Sequence, residues 1–111
     1  VNENISPFWP RILGYIPPNT SDMENVCVSN LNPALKTFQI GSVIIGHTPQ
    51  YYTHNEGINS TCGGKLWRVD IGSSKAFQPF DQASHDKRRI QILEILEDTI
   101  FNVIKESDDY L

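Results

Sequence analysis

The chain from Ser42 to Ile45 carries three consecutive branched apolar residues, Val43-Ile44-Ile45, and predicts a short strand buried on both faces. It stops at Gly46-His47-Thr48-Pro49, where Gly and Pro mark a sharp turn. Farther on, Leu66, Arg68 and Asp70 alternate with Trp67, Val69 and Ile71. The segments Ile58–Thr61 and Leu66–Ile71 therefore predict a hairpin across Cys62-Gly63-Gly64-Lys65, with Gly-Gly supplying the positive φ angles of the turn. Ahead of the first strand, Leu31, Leu35 and Phe38 fall roughly on one helical face. A short helix is predicted over Pro33–Gln39, capped by Asn32, with Pro33 at its first position.

The rest of the chain is less regular. Residues 1 to about 25 hold Pro7, Pro10, Pro17 and Pro18, which rule out a continuous helix, yet Phe8, Trp9, Ile12, Leu13, Tyr15 and Ile16 crowd the same stretch. The expectation is a loop packed against something else. Residues 50–57, polar and tyrosine-rich, predict an exposed loop, and residues 72–86 a further connection. From Asp86 to Ser107 there is no Gly or Pro, and Gln91, Glu94, Asp98, Asn102 and Lys105 recur at helical spacing. That pattern favours one amphipathic helix. The competing arrangement is two strands, Ile90–Leu96 and Thr99–Ile104, turning at Glu97-Asp98.

Composition shifts the balance towards strands, since 13 Ile and 6 Val stand against three Ala, and branched side chains pack better on a pleated surface than on a helix. The chain has 111 residues, 39% hydrophobic and 20% charged, the make-up of one globular unit. A formal net charge of −4 argues against a module that binds nucleic acid by bulk phosphate attraction. No apolar run approaches the roughly 18 residues a membrane span needs, and nothing at the start reads as a signal peptide. Cys27 and Cys62 lack any C-x-x-C spacing, so the reading is two reduced, partly buried thiols in a protein of cytoplasmic type. Val1 in place of Met suggests a piece cut from a longer protein.

His47 is the most informative candidate for chemistry. A histidine placed after a buried strand projects from the carboxyl end, where ligands of layered α/β proteins gather. Gly46 would let the backbone turn tightly enough to aim the imidazole, and neutral imidazole is a common ligand of divalent transition metals. On its own, a strand followed by Gly-His is more often an ordinary turn.

The surrounding residues are more specific. The run Val43-Ile44-Ile45-Gly46-His47-Thr48-Pro49-Gln50, followed by Gly57-Ile58-Asn59-Ser60-Thr61-Cys62-Gly63-Gly64-Lys65-Leu66-Trp67-Arg68-Val69-Asp70-Ile71-Gly72, resembles the calcineurin-like metallophosphoesterases. It is most similar to the C-terminal part of the Shewanella-like protein phosphatases, within the serine/threonine phosphoprotein phosphatase group. Ser74-Lys75-Ala76-Phe77 and Gln91-Ile92-Leu93-Glu94-Ile95-Leu96 continue in the same order, and Phe8-Trp9-Pro10-Arg11 stands where these enzymes carry a Trp-x-Arg motif. The likeness covers residues 6 to 98.

The resemblance implies that His47 ligates one metal of a two-metal centre and that Arg11 grips the substrate phosphate, for which a guanidinium fork is well shaped. Asp70, in an Asp-x-Gly at a strand end, could accept a hydrogen bond from the metal-binding imidazole or serve only its own turn. His54 and His85, in polar stretches, and Lys87-Arg88-Arg89 read as solvated surface. The chain lacks Asp-x-His, Gly-Asp-x-x-Asp-Arg-Gly and Gly-Asn-His-Glu, which in that family supply most metal ligands and the histidine thought to act as general acid. These residues alone should therefore neither bind two metals nor hydrolyse phosphate esters efficiently.

The implied fold is an α/β (α+β) architecture. Residues 1–111 would form the C-terminal half of a four-layer αββα metallophosphatase sandwich, with its N-terminal part absent and this segment mostly β. That context tips the last segment towards two strands. The implied parent is a metal-dependent phosphoprotein phosphatase whose two metals (manganese or iron, with zinc as the alternative), about 3.5–4 Å apart, activate water for in-line attack. Its partner would be a phosphorylated protein, with neither nucleic acid nor membrane. The rivals are an inactive phosphatase-like binding scaffold and a metallophosphoesterase acting on nucleotides. Pro49 disfavours the latter, because many such relatives carry a second histidine there.

Overall fold

The computed structural model describes residues 10–81 and 89–107. Phe8, Trp9, His85, Lys87 and Arg88 lie outside them, and so do the readings made of those residues. Among the described residues the order is α1 (Ile12–Tyr15), α2 (Asn25–Asn30), α3 (Asn32–Phe38), β1 (Val43–Ile45), α4 (Gln50–His54), β2 (Asn59–Thr61) and β3 (Leu66–Arg68). A 3₁₀ turn (Lys75–Phe77), α5 (Gln78–Asp81), β4 (Gln91–Leu96) and β5 (Ile100–Lys105) follow.

The central sheet has the order β1-β3-β2. β1 runs parallel to β3, with Ile44 opposite Trp67, and β2 runs antiparallel to it, with Ser60 opposite Trp67. The β2–β3 hairpin turns where predicted, with Gly63 and Gly64 at positive φ and Cys62 joining them, but β3 stops at Arg68 rather than Ile71. The outer edge of β2 is covered by residues 17–20. Asn19 N–H donates to the Ser60 carbonyl, and Thr61 Oγ1 donates to the Pro17 carbonyl and accepts from Thr20 N–H.

Alternation along β3 divides the interior in two. Leu66 faces a core of Ile16, Cys27, Leu31 and Cys62, against which Leu35, Val43 and Ile45 pack. Trp67 and Val69 face Tyr51, Ile58 and Ile71, together with Leu93 of β4 and Val103 of β5. The Trp67 and Phe101 rings stack at 5.2 Å between centroids and 10° between planes. α2 and α3 thus pack on one face of the three-stranded sheet and the two-stranded hairpin on the other, in an α+β fold.

The final segment is two strands, the arrangement that the resemblance favoured, and residues 91–105 do not form the helix that polar spacing alone suggested. β4 and β5 pair from Gln91↔Lys105 to Leu96↔Ile100, with Glu97 and Asp98 both left-handed at the turn. Polar residues at helical spacing misled because β-branched cross-strand pairs such as Ile92↔Ile104 outweigh them. Gln91 anchors the hairpin: its Nε2 donates to Tyr51 Oη and its Oε1 accepts from Ile58 N–H.

Four further expectations need correction. The strand Val43–Ile45 is not buried on both faces; Ile44 is 45% exposed, because the hairpin's contacts centre on β3 and its flanks. Residues 50–57 are not a loop: Gln50–His54 form α4, with Gln50 and Tyr51 buried. Nor is the segment mostly β, since its strands are short and the stretches read as connections contain helical turns. Finally, α3 takes in Asn32 rather than being capped by its side chain, and Phe38 stays exposed.

The reading of two reduced thiols also fails. Cys27 and Cys62 are joined in a disulfide with Cα atoms 5.7 Å apart. A spacing of 35 residues carries no local signal; the pairing arises because α2 packs its buried face beneath the β2–β3 turn. The compartment argument that rested on free thiols goes with it. Closing a loop of this length stabilises the fold by about 3–4 kcal/mol on a chain-entropy account. Denaturant titration with and without dithiothreitol should show a drop of that order, and thiol counting in the unreduced, unfolded chain should give none. Two titratable thiols with an unchanged midpoint would contradict the bond.

Candidate functional site

His47 lies beyond the carboxyl end of β1, as its sequence position implies. The local geometry differs from expectation, however. The left-handed residue is His47 itself, with φ 69°, while a side chain on Gly46 would meet nothing within 4 Å. A non-glycine residue held there stores strain of a kind that collects at functional sites. Its carbonyl accepts a 3.0 Å hydrogen bond from Arg11 Nε, across 36 residues of sequence. The two side chains singled out from sequence therefore line one cleft of about 340 Å³, together with Leu13, Asn30, Ile45 and Thr48.

Arg11 is positioned by α1, which is a single turn and cannot hold itself. Its carbonyls are held instead by side chains from the sheet and α4. Arg68 Nη1 donates to the Leu13 and Ile16 carbonyls at 3.1 and 2.7 Å. His54 Nε2 lies 3.0 Å from the Gly14 carbonyl, and Gln50 Nε2 donates to the Thr48 carbonyl at 2.8 Å and reaches Gly14 at 3.4 Å. Asn59 joins the two sets: its Nδ2 donates to Gln50 Oε1, and its Oδ1 accepts from Arg68 Nε and Nη2. Contact between α1 and the His47 turn is close enough that a Cβ on Gly14 would clash with the Thr48 side chain.

Sequence reasoning missed this network. Arg68 is 1% exposed, and burial pushes its guanidinium down to about 10. It is still charged at neutral pH. The one available signal was a charged residue on the same strand face as Leu66. Gln50 and His54, read as loop residues, are buried and half-buried members of α4. Asp70 Oδ1 accepts from Gly72 N–H at 3.0 Å, which is the turn role weighed for it.

Metal binding was expected at His47. Among the described residues no group of three or more His, Cys, Asp or Glu side chains comes together. A two-metal centre does not fit these residues alone, and His47 stands as one ligand at most. No described helix is long and apolar enough to cross a membrane.

The chain is 43% identical over 105 residues to an uncharacterised protein of Acanthamoeba polyphaga mimivirus, a match covering 90% of this chain. It spans about 40% of that relative's length. No family model matches the chain, and no solved structure does.

Two substitutions test the network. Arg68→Met leaves three neutral oxygens unsatisfied in the interior and should cost on the order of 3 kcal/mol in denaturant unfolding. Because the folded pKa is depressed, the unfolded chain binds more protons only above about pH 10. Stability from this group therefore rises with pH only there, and the Arg68→Met penalty should be constant from pH 6 to 8. Gly14→Ala should force α1 and the His47 turn apart, costing about 1–3 kcal/mol and shifting the amide resonances of Arg11 and His47 more than those of β4 and β5.

Proposed function

We propose that this chain is the C-terminal portion of a metal-dependent phosphoprotein phosphatase domain. The observation that carries the reading is the meeting of Arg11 and His47 on one cleft at the carboxyl end of β1. Both were singled out by residue type and motif, and they are separated by three helices and a strand. The layering of helices, sheet and second sheet also supports it, being compatible with half of a four-layer sandwich. The outer face of the β4–β5 hairpin carries the apolar pairs Ile92↔Ile104 and Leu96↔Ile100 around a Glu94–Asn102 hydrogen bond, the surface a further layer would cover.

In this reading Arg11 binds and orients the phosphate. Its Nε is fixed by the His47 carbonyl, so the planar fork is pre-set rather than ordered on binding. His47 offers one imidazole nitrogen to a metal whose other ligands come from elsewhere. Bound metals would supply charge neutralisation and an activated water.

The test is turnover by the longer polypeptide that carries residues upstream of Val1, loaded with Mn²⁺. Phosphopeptide hydrolysis is expected, with Arg11→Ala and His47→Ala each lowering it by about 10²-fold or more. A dinucleoside polyphosphate and single-stranded DNA should be poor substrates. Upstream residues without Asp-x-His, Gly-Asp-x-x-Asp-Arg-Gly and Gly-Asn-His-Glu would overturn the reading in favour of a binding scaffold. Preferential turnover of the nucleotide would move it to another substrate class.

A further inference from the structure

Arg11 and Thr48 also line a second cleft, of about 290 Å³, which adjoins the first through these two residues. Its remaining walls are Tyr15 from the end of α1, Pro49, Tyr52 and Thr53 from α4, and Phe77 from the 3₁₀ turn. No carboxylate lines it; Arg11 is its one charged group. A path leading away from the phosphate donor therefore enters an aromatic groove. Tyr15 and Tyr52 leave 53% and 59% of their surfaces in water, although the neighbouring Tyr51 is buried. Phe77 is fixed from below by Gly72, whose left-handed backbone lies so close that a Cβ there would meet the ring at 3.3 Å. The volume is at the small end of ligand clefts, the size for a single side chain.

We propose that this groove receives the group esterified to the phosphate, and that it selects an aryl phosphate, phosphotyrosine in a protein, over phosphoserine or phosphothreonine. A phosphorylated phenol placed with its anion on Arg11 buries its ring against Tyr15, Tyr52 and Phe77, where offset and edge-on ring contacts add to area burial. A phosphoserine has no ring to place there and leaves the tyrosines in water. The inference rests on the phosphatase reading, which supplies the phosphate at Arg11; Tyr15 and Tyr52 act as specificity residues, not as parts of the reaction.

The test is a titration of the ¹⁵N-labelled chain with three peptides of one sequence, carrying phosphotyrosine, phosphoserine or unmodified tyrosine, followed by amide shifts. The phosphotyrosine peptide should bind about three- to tenfold more tightly than the phosphoserine peptide, perturbing Tyr52 and Phe77, with the unmodified peptide weakest. Tyr52→Ala, at an exposed position that leaves the fold intact, should reduce the two phosphopeptides to parity, and Tyr52→Phe should keep the preference. Arg11→Ala should weaken both phosphopeptides alike. Equal affinities, or a preference untouched by Tyr52→Ala, would overturn the aromatic subsite while leaving the phosphatase reading standing. Absence of any phosphate-dependent binding, or binding indifferent to Arg11→Ala, would overturn both.

Discussion

Arg68 carries a positive charge into the interior, and the fold answers it with neutral oxygens: the Asn59 amide and the carbonyls of Leu13 and Ile16. Desolvation disfavours the charge, so every acceptor must be in place at once for its burial to be tolerated. That requirement works in both directions. A one-turn helix has no stability of its own, and two of its free carbonyl ends point where the guanidinium fork dictates. The direction of α1, and with it the placement of Arg11, is decided from β3, the central strand of the sheet. Gln50 and His54 add to the same constraint through the Gly14 and Thr48 carbonyls.

A second constraint is covalent. The Cys27–Cys62 bond closes a loop that runs from within α2 through α3, β1, the His47 turn, α4 and β2. Arg11 lies outside that loop. The cleft is therefore a seam between a covalently closed segment and a helix tied down by hydrogen bonds, bridged at the surface by Arg11 Nε and the His47 carbonyl. Failure of either tie should show at the seam first. The two are chemically independent, since reduction leaves Arg68 in place and loss of Arg68 leaves the sulfurs joined.

Much of the sheet was legible in the residues. Val43-Ile44-Ile45, the Gly63-Gly64 turn and the alternation along Leu66–Ile71 each carry a local signal; the first two form where that signal put them, and the third starts at Leu66 but ends as a strand at Arg68. Candidate site residues Arg11 and His47 were legible through motif and residue type, and the fold brings them together. What was not legible depends on contacts across long separations. Cys27 and Cys62 have no spacing rule to announce them, and Arg68 looks like any strand arginine until Leu13 and Ile16 are folded over it. Glu94 and Asn102, helically spaced from Asp98 and Gln91 in sequence, turn out to be cross-strand partners. The tyrosine-rich stretch after Pro49 read as a loop because its buried residue, Gln50, is polar and is satisfied only by groups from α1, the His47 turn and β2.

The bond between Arg11 and His47 has a consequence for any ligand of the cleft. The left-handed backbone at His47 is strained, and the Arg11 hydrogen bond is one of the contacts that hold it. An anion that draws the guanidinium towards itself changes the strength of that bond, and by linkage the His47 turn changes the affinity for the anion by the same factor. The effects of substituting Arg11 and His47 should then be less than additive, as for residues that share one interaction. A lysine at position 11 would keep the charge yet lose the planar fork that can face a phosphate and the His47 carbonyl at once. The placement of the Arg11 guanidinium and that of the His47 imidazole are in this sense one structural feature, set by a strained turn, a single arginine and the buried guanidinium of Arg68 beneath them.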